Sequence, residues 1–142
     1  MALPGGFQRL PGEPALETAL RETREETGLD LSGSRVVGAL DELHPRTALL
    51  PPIVVTPWVF VAPAQADVAP GAEAETAVWI AIQDLFAPEN RTVITVPFPT
   101  APREFPAIRI GPHLVWGLTE RIVAQIEDLV GGDGSSAAER SP

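Results

Sequence analysis

The chain has no cysteine, which excludes a disulfide framework, a thiolate nucleophile and a zinc–thiolate site while leaving the compartment open. Positive charge is scarce: 10 Lys and Arg stand against 19 Asp and Glu, a formal net charge of -9. Proteins that grip a nucleic-acid backbone present a basic footprint, so no nucleic-acid partner is expected. A polyanionic small molecule remains compatible, provided cations sit between the carboxylates and its anionic groups. Neither an apolar run long enough to cross a bilayer nor a basic-plus-apolar leader is read in these residues. The expectation is therefore a cytoplasmic protein with no membrane partner. Internal repeats are also lacking.

What is present has an ordinary globular balance, with 44% apolar and 20% charged residues in 142. That length suits one domain with a sizeable core. The 16 prolines exceed an average usage of about 5% and indicate stiff loops and strand edges. From Gly131 the Gly, Ser, Ala and charged residues offer no apolar periodicity, so the expected organisation is a domain over 1–130 and a disordered tail over 131–142.

One stretch stands out: Pro4-Gly5-Gly6, then Glu13, then Arg21-Glu22-Thr23-Arg24-Glu25-Glu26-Thr27-Gly28. The glycines allow close backbone approach to a ligand. Pro14 suits a first helical turn and Gly28 a left-handed stop, which predicts a helix from near Pro14 to Thr27. Leu16, Ala19, Leu20, Thr23 and Thr27 form its packing stripe. At about 100° per residue, Glu22, Glu25 and Glu26 share an arc of roughly 100°. Crowded like charges destabilise a helix unless a partner offsets them, and hard divalent cations such as magnesium do so well. Two or three glutamates on an arbitrary helix are more often a solvated face; the surrounding Gly, Glu and Arg pattern is what favours a metal site.

Those residues resemble the Nudix box. Its Arg-Glu-x-x-Glu-Glu-x-Gly core is intact from Arg21 to Gly28, and the seven spacers from Glu13 to Arg21 are kept. Gly6 is followed by six spacers before Glu13, one more than the family pattern, and Thr23 stands where an aliphatic residue is usual. The resemblance implies an α/β fold, a Nudix-type α/β/α sandwich with a mixed sheet, here short of its N-terminal strand because only Met1-Ala2-Leu3 precede Pro4. An open sheet edge implies low stability as a monomer and admits a homodimer in which a partner supplies a strand.

The resemblance further implies metal-dependent hydrolysis of a small-molecule nucleoside diphosphate derivative. Glu22, Glu25 and Glu26 would hold Mg2+ or Mn2+, with the Gly6 carbonyl as a further ligand, and Arg21 would make a structural salt bridge to Glu13. Glu73 is the candidate general base and Glu75 its rival, both being equally readable as solvated loop charges. Segments 51–60 and 105–119 look like the coenzyme A pyrophosphatase branch. The competing class is a non-catalytic Nudix-like domain that binds a nucleotide or acts as a regulator without turnover.

Elsewhere, 35–41 and the apolar run 53–62 read as strands, the latter buried on both faces, with Pro57 marking an edge or bulge. His44 and Arg46 lie in a loop that could touch substrate, although an isolated His-Pro-Arg is more often solvated. Residues 77–82 read as a strand and 84–86 as a helical turn. The segment 88–106 reads as a flap containing a strand at 93–96, and 107–115 as a hairpin about Gly111-Pro112. A helix is predicted from Trp116 or Leu118 to Val130, with Leu129 and Val130 on its packing side. His113 and Trp116 read as loop-fixing and packing residues.

Overall fold

The computed structural model describes residues 1–45, 52–64, 66–72 and 74–131. They form two compact units, Leu3–Ile80 and Met1–Ala2 together with the described residues from Ala81 onward. The chain has mixed α/β content.

In the first unit a loop leads into α1 (Ala15–Thr27), whose N-cap is Pro14 and whose C-cap Gly28 adopts φ 70°, sending its N–H to the Arg24 carbonyl. A left-handed cap is what a glycine supplies without a side-chain clash. The buried face of α1 is partly polar: Thr18 and Thr23 are its buried residues. Both hydroxyls bond back to their own helix, Thr18 Oγ1 to the Pro14 carbonyl at 3.3 Å and Thr23 Oγ1 to the Ala19 carbonyl at 2.7 Å. Thr23 can therefore take an aliphatic position, its methyl packed and its hydroxyl satisfied.

Strand β1 (Arg35–Ala39) pairs antiparallel with β2 (Trp58–Val61), the register slipping between Val36 and Gly38. A Leu43–Val55 bridge continues the pairing beyond Pro57. The apolar run 53–62 is thus a four-residue strand and one bridge, since Pro57 has no N–H for a ladder. It is not buried on both faces, for Val54 and Val61 are exposed. Residues 77–81 join no ladder, and Val78 and Trp79 are exposed. The Trp79 indole N–H donates to the Ala66 carbonyl at 2.8 Å, so its polar edge is bound to a loop.

The second unit holds α2 (Ile82–Phe86), a 3-10 turn at Pro88–Asn90, β3 (Arg91–Val96), β4 (Arg103–Ile110), β5 (His113–Trp116) and α3 (Leu118–Gly131). The three strands form an antiparallel sheet in the order β3-β4-β5. The proline-rich stretch is therefore largely a hairpin. Pro106 lies opposite Val93, one residue outside the β5 pairing that begins at Ala107, so its missing N–H costs no bond to β5. Gly111 turns the β4–β5 hairpin with φ 56°. Ile108, Val115 and Val123 make the core, with Leu85, Phe86 and Ile110 against it.

All strand pairings among the described residues are antiparallel, whereas the expected sheet was mixed. Leu129 and Val130 are exposed rather than packed; the buried residues of α3, Ile122 and Val123, lie on the same face about two turns earlier. Gly131 ends α3, and the remainder of the expected tail lies outside the described residues.

Candidate active site

The site is a loop laid along one side of α1 and tied to it by an arginine. Arg21 donates from Nε to Glu13 Oε1 at 3.1 Å, from Nη2 to the Phe7 carbonyl at 3.0 Å, from Nη1 to Glu25 Oε2 at 3.3 Å, and from Nη1 to Glu22 in a shorter contact. One planar guanidinium thus joins the loop to three carboxylates, a role a point-charge ammonium could not fill. The second Glu13 oxygen accepts the Arg9 backbone N–H at 2.5 Å. Arg21's hydrogen bond first, then that of Arg9, holds the Glu13 carboxyl below the usual range. Glu13 and Glu22 in turn push the Arg21 guanidinium further towards its charged form.

Each glutamate on the α1 face is engaged. The Glu22 carboxylate lies against Gly6, where a Cβ would meet its Cδ at 2.6 Å. Its side chain is only 16% exposed. Glu25, 42% exposed, receives Arg9 Nη2 on Oε2 at 2.8 Å as well as Arg21. Glu26 accepts the Gly5 N–H on Oε2 at 3.2 Å. Glycines at 5 and 6 thus bring the loop backbone against the carboxylates.

Four carboxylates (Glu13, Glu22, Glu25, Glu26) share this cluster with two guanidiniums (Arg9, Arg21), which leaves two negative charges over. Among the described residues no group of three or more acid or histidine side chains is gathered as a ready metal cage. The donors are nonetheless all hard oxygens with surplus negative charge, and the absence of a side chain at Gly6 lets the loop backbone lie directly against the Glu22 carboxylate. That chemistry fits magnesium or manganese.

A second loop closes on the end of α1. Gly71 N–H donates to the Glu26 carbonyl at 2.8 Å and Ala69 N–H to the Thr27 carbonyl at 2.9 Å, supplying partners to carbonyls that a helix end leaves free. A Cβ on Gly71 would lie 1.9 Å from the Glu25 carbonyl oxygen. Glu73 lies outside the described residues, as does Arg46. Glu75 is exposed. His44 stands 3.8 Å from Glu42, both largely exposed, and away from the α1 cluster's contacts. Trp116 rests on Phe105 with ring centroids 6.0 Å apart.

The sequence pattern brought out Gly6, Glu13, Arg21, Glu22, Glu25 and Glu26, and the structure gathers all six. It did not bring out Arg9 or Gly71. Arg9 reaches Glu25 across 16 positions, a separation to which no helical or strand period applies.

A family model for the NUDIX domain matches residues 1–98. An uncharacterized protein of Schizosaccharomyces pombe is 36% identical over 101 residues, 68% of this chain and 31% of that protein, so the chain spans about a third of the length of this curated relative. No helix among the described residues is long and apolar enough to cross a membrane. With the glycine loop, the Arg21 clamp and the glutamate face all inside the matched region, the chain belongs to the NUDIX domain family.

Proposed function

We propose that this chain is a metal-dependent pyrophosphohydrolase that cleaves the diphosphate linkage of a nucleoside diphosphate derivative. The observation that carries the reading is the surplus of carboxylates on Glu22, Glu25 and Glu26 beside the Gly5-Gly6 backbone, with Arg21 joining Glu13, Glu22 and Glu25. Glu22, Glu25 and Glu26 would hold Mg2+ or Mn2+, with the Gly6 carbonyl as a further ligand. Such a cation, when bound, neutralises phosphate oxygens and acidifies a water molecule.

The protein's own part is positional. Arg21 fixes the loop carbonyl of Phe7 and the Glu13 carboxylate against α1, so the backbone at Gly6 and the carboxylate of Glu22 are set side by side before a ligand arrives. Preorganised charge of this kind costs no rearrangement during reaction. Glu73, or Glu75 in its place, would accept the proton of the attacking water. The likeness of segments 51–60 and 105–119 to the coenzyme A pyrophosphatase branch supports coenzyme A as a substrate to test first.

A second reading, a nucleotide-binding domain without turnover, is favoured by the absence of a ready three-carboxylate cage among the described residues. Hydrolysis of coenzyme A, ADP-ribose and nucleoside triphosphates, each with and without Mg2+ or Mn2+, separates the two. Metal-stimulated turnover of any of them supports the hydrolase; saturable binding with no turnover of any supports the binding domain.

A further inference from the structure

We infer that Arg9 is a resident cation at the Glu25 carboxylate, displaced when a divalent metal binds, and that this competition sets the metal affinity of this chain. The inference rests on the metal-site reading above and concerns a residue outside it. Arg9 Nη2 and Arg21 Nη1 converge on the same oxygen, Glu25 Oε2, at 2.8 and 3.3 Å. A hard cation that takes this oxygen meets two guanidiniums already there.

The two are not equally free to leave. The Arg21 side chain is 18% exposed and bonds to Glu13, Glu22 and the Phe7 carbonyl besides. The Arg9 side chain is 62% exposed, and Glu25 is its ion-pair partner among the described residues. Its backbone is held separately, by the N–H bond to Glu13 Oε2. Arg9 can thus swing away from Glu25 while the loop stays in place. It also lies in the segment where this chain has one residue more than the family pattern, so the contact is made from this chain's own loop.

An exposed ion pair is a weak competitor, worth a small factor in an equilibrium constant. Arg9→Gln should therefore tighten Mn2+ binding by about two- to fivefold, measured without substrate by electron paramagnetic resonance of free Mn2+. The gain should shrink as salt rises, since exposed pairs are screened. In the Glu25→Gln background the same Arg9 substitution should give no gain. Thermal melting of all four proteins verifies folding.

Equal or weaker Mn2+ binding by the Arg9 variant overturns the inference and leaves the metal site standing. A gain that persists in the Glu25→Gln background also overturns it, because the effect would then be general charge rather than competition at one carboxylate. No Mn2+ binding by any of the four overturns the metal-site reading and this inference with it.

Discussion

Replacing Gly71 by alanine tests whether the 66–72 loop is docked on α1 or merely adjacent to it. The added Cβ would meet the Glu25 carbonyl oxygen at 1.9 Å, its carbonyl carbon at 2.9 Å and Glu26 Cα at 3.1 Å. These are helix backbone atoms and cannot rotate aside. Reaching an ordinary carbon–oxygen separation near 3.3 Å requires the loop to retreat by roughly 1.4 Å. That breaks the Gly71 N–H bond to the Glu26 carbonyl and strains the Ala69 N–H bond to the Thr27 carbonyl, 2.8 and 2.9 Å long. Two hydrogen bonds at about 1 kcal/mol each, less about 0.4–1 kcal/mol for the stiffer unfolded chain, give a net loss of about 1–1.5 kcal/mol. For a chain of this size the melting temperature should fall by about 3–6 °C. Gly33→Ala is the control, because a Cβ there meets nothing within 4 Å; it should be neutral or slightly stabilising. Melting of Gly71→Ala within a degree of the parent would refute the docking.

Two further substitutions probe the site's scaffold. Glu13 has a carboxyl held below its usual range, chiefly by Arg21, so the unfolded chain binds its proton first as pH falls. Its stabilisation is fully present above the ordinary carboxylate range near pH 4.5 and is lost as pH drops through the lowered value. The urea midpoint of Glu13→Gln should therefore lie below the parent's at pH 6–7 and the gap should narrow as pH falls below 4.5; a constant gap would contradict the linkage. Thr23→Val keeps the buried shape and removes a hydroxyl that bonds to its own helix, so the change in stability should stay within about 1 kcal/mol by urea unfolding.

The elements most legible from sequence were those with local causes. Pro14 and Gly28 bracket α1 because one residue tolerates a first turn and the other a left-handed cap. The β4–β5 hairpin was marked by Gly111, and the glutamate face by the helical period alone. Residues 77–82 misled because a continuous apolar run fits an extended strand or an unpaired loop equally, and pairing is decided by what lies beside it. The expected two-sided burial of 53–62 failed through Pro57 and through pairing to a single short strand, β1. At the site, the family pattern carried Arg21–Glu13, but the Arg9–Glu25 and Gly71–Glu26 contacts join segments far apart in sequence. Only folded geometry reveals such pairs.

The most direct test of the metal-site reading is hydrolysis by Glu25→Gln and Glu26→Gln across the nucleotide panel. Gln preserves shape and helix propensity and removes the charge a hard cation requires. Glu17, about 140° round the helix from Glu22 and exposed, provides the control variant. With a metal held by the glutamate face, both substitutions should lower metal-stimulated turnover by a factor on the order of 10² or more, while Glu17→Gln stays near the parent and all three melt normally. Turnover retained in both Glu25→Gln and Glu26→Gln, at unchanged Mg2+ dependence, would contradict it.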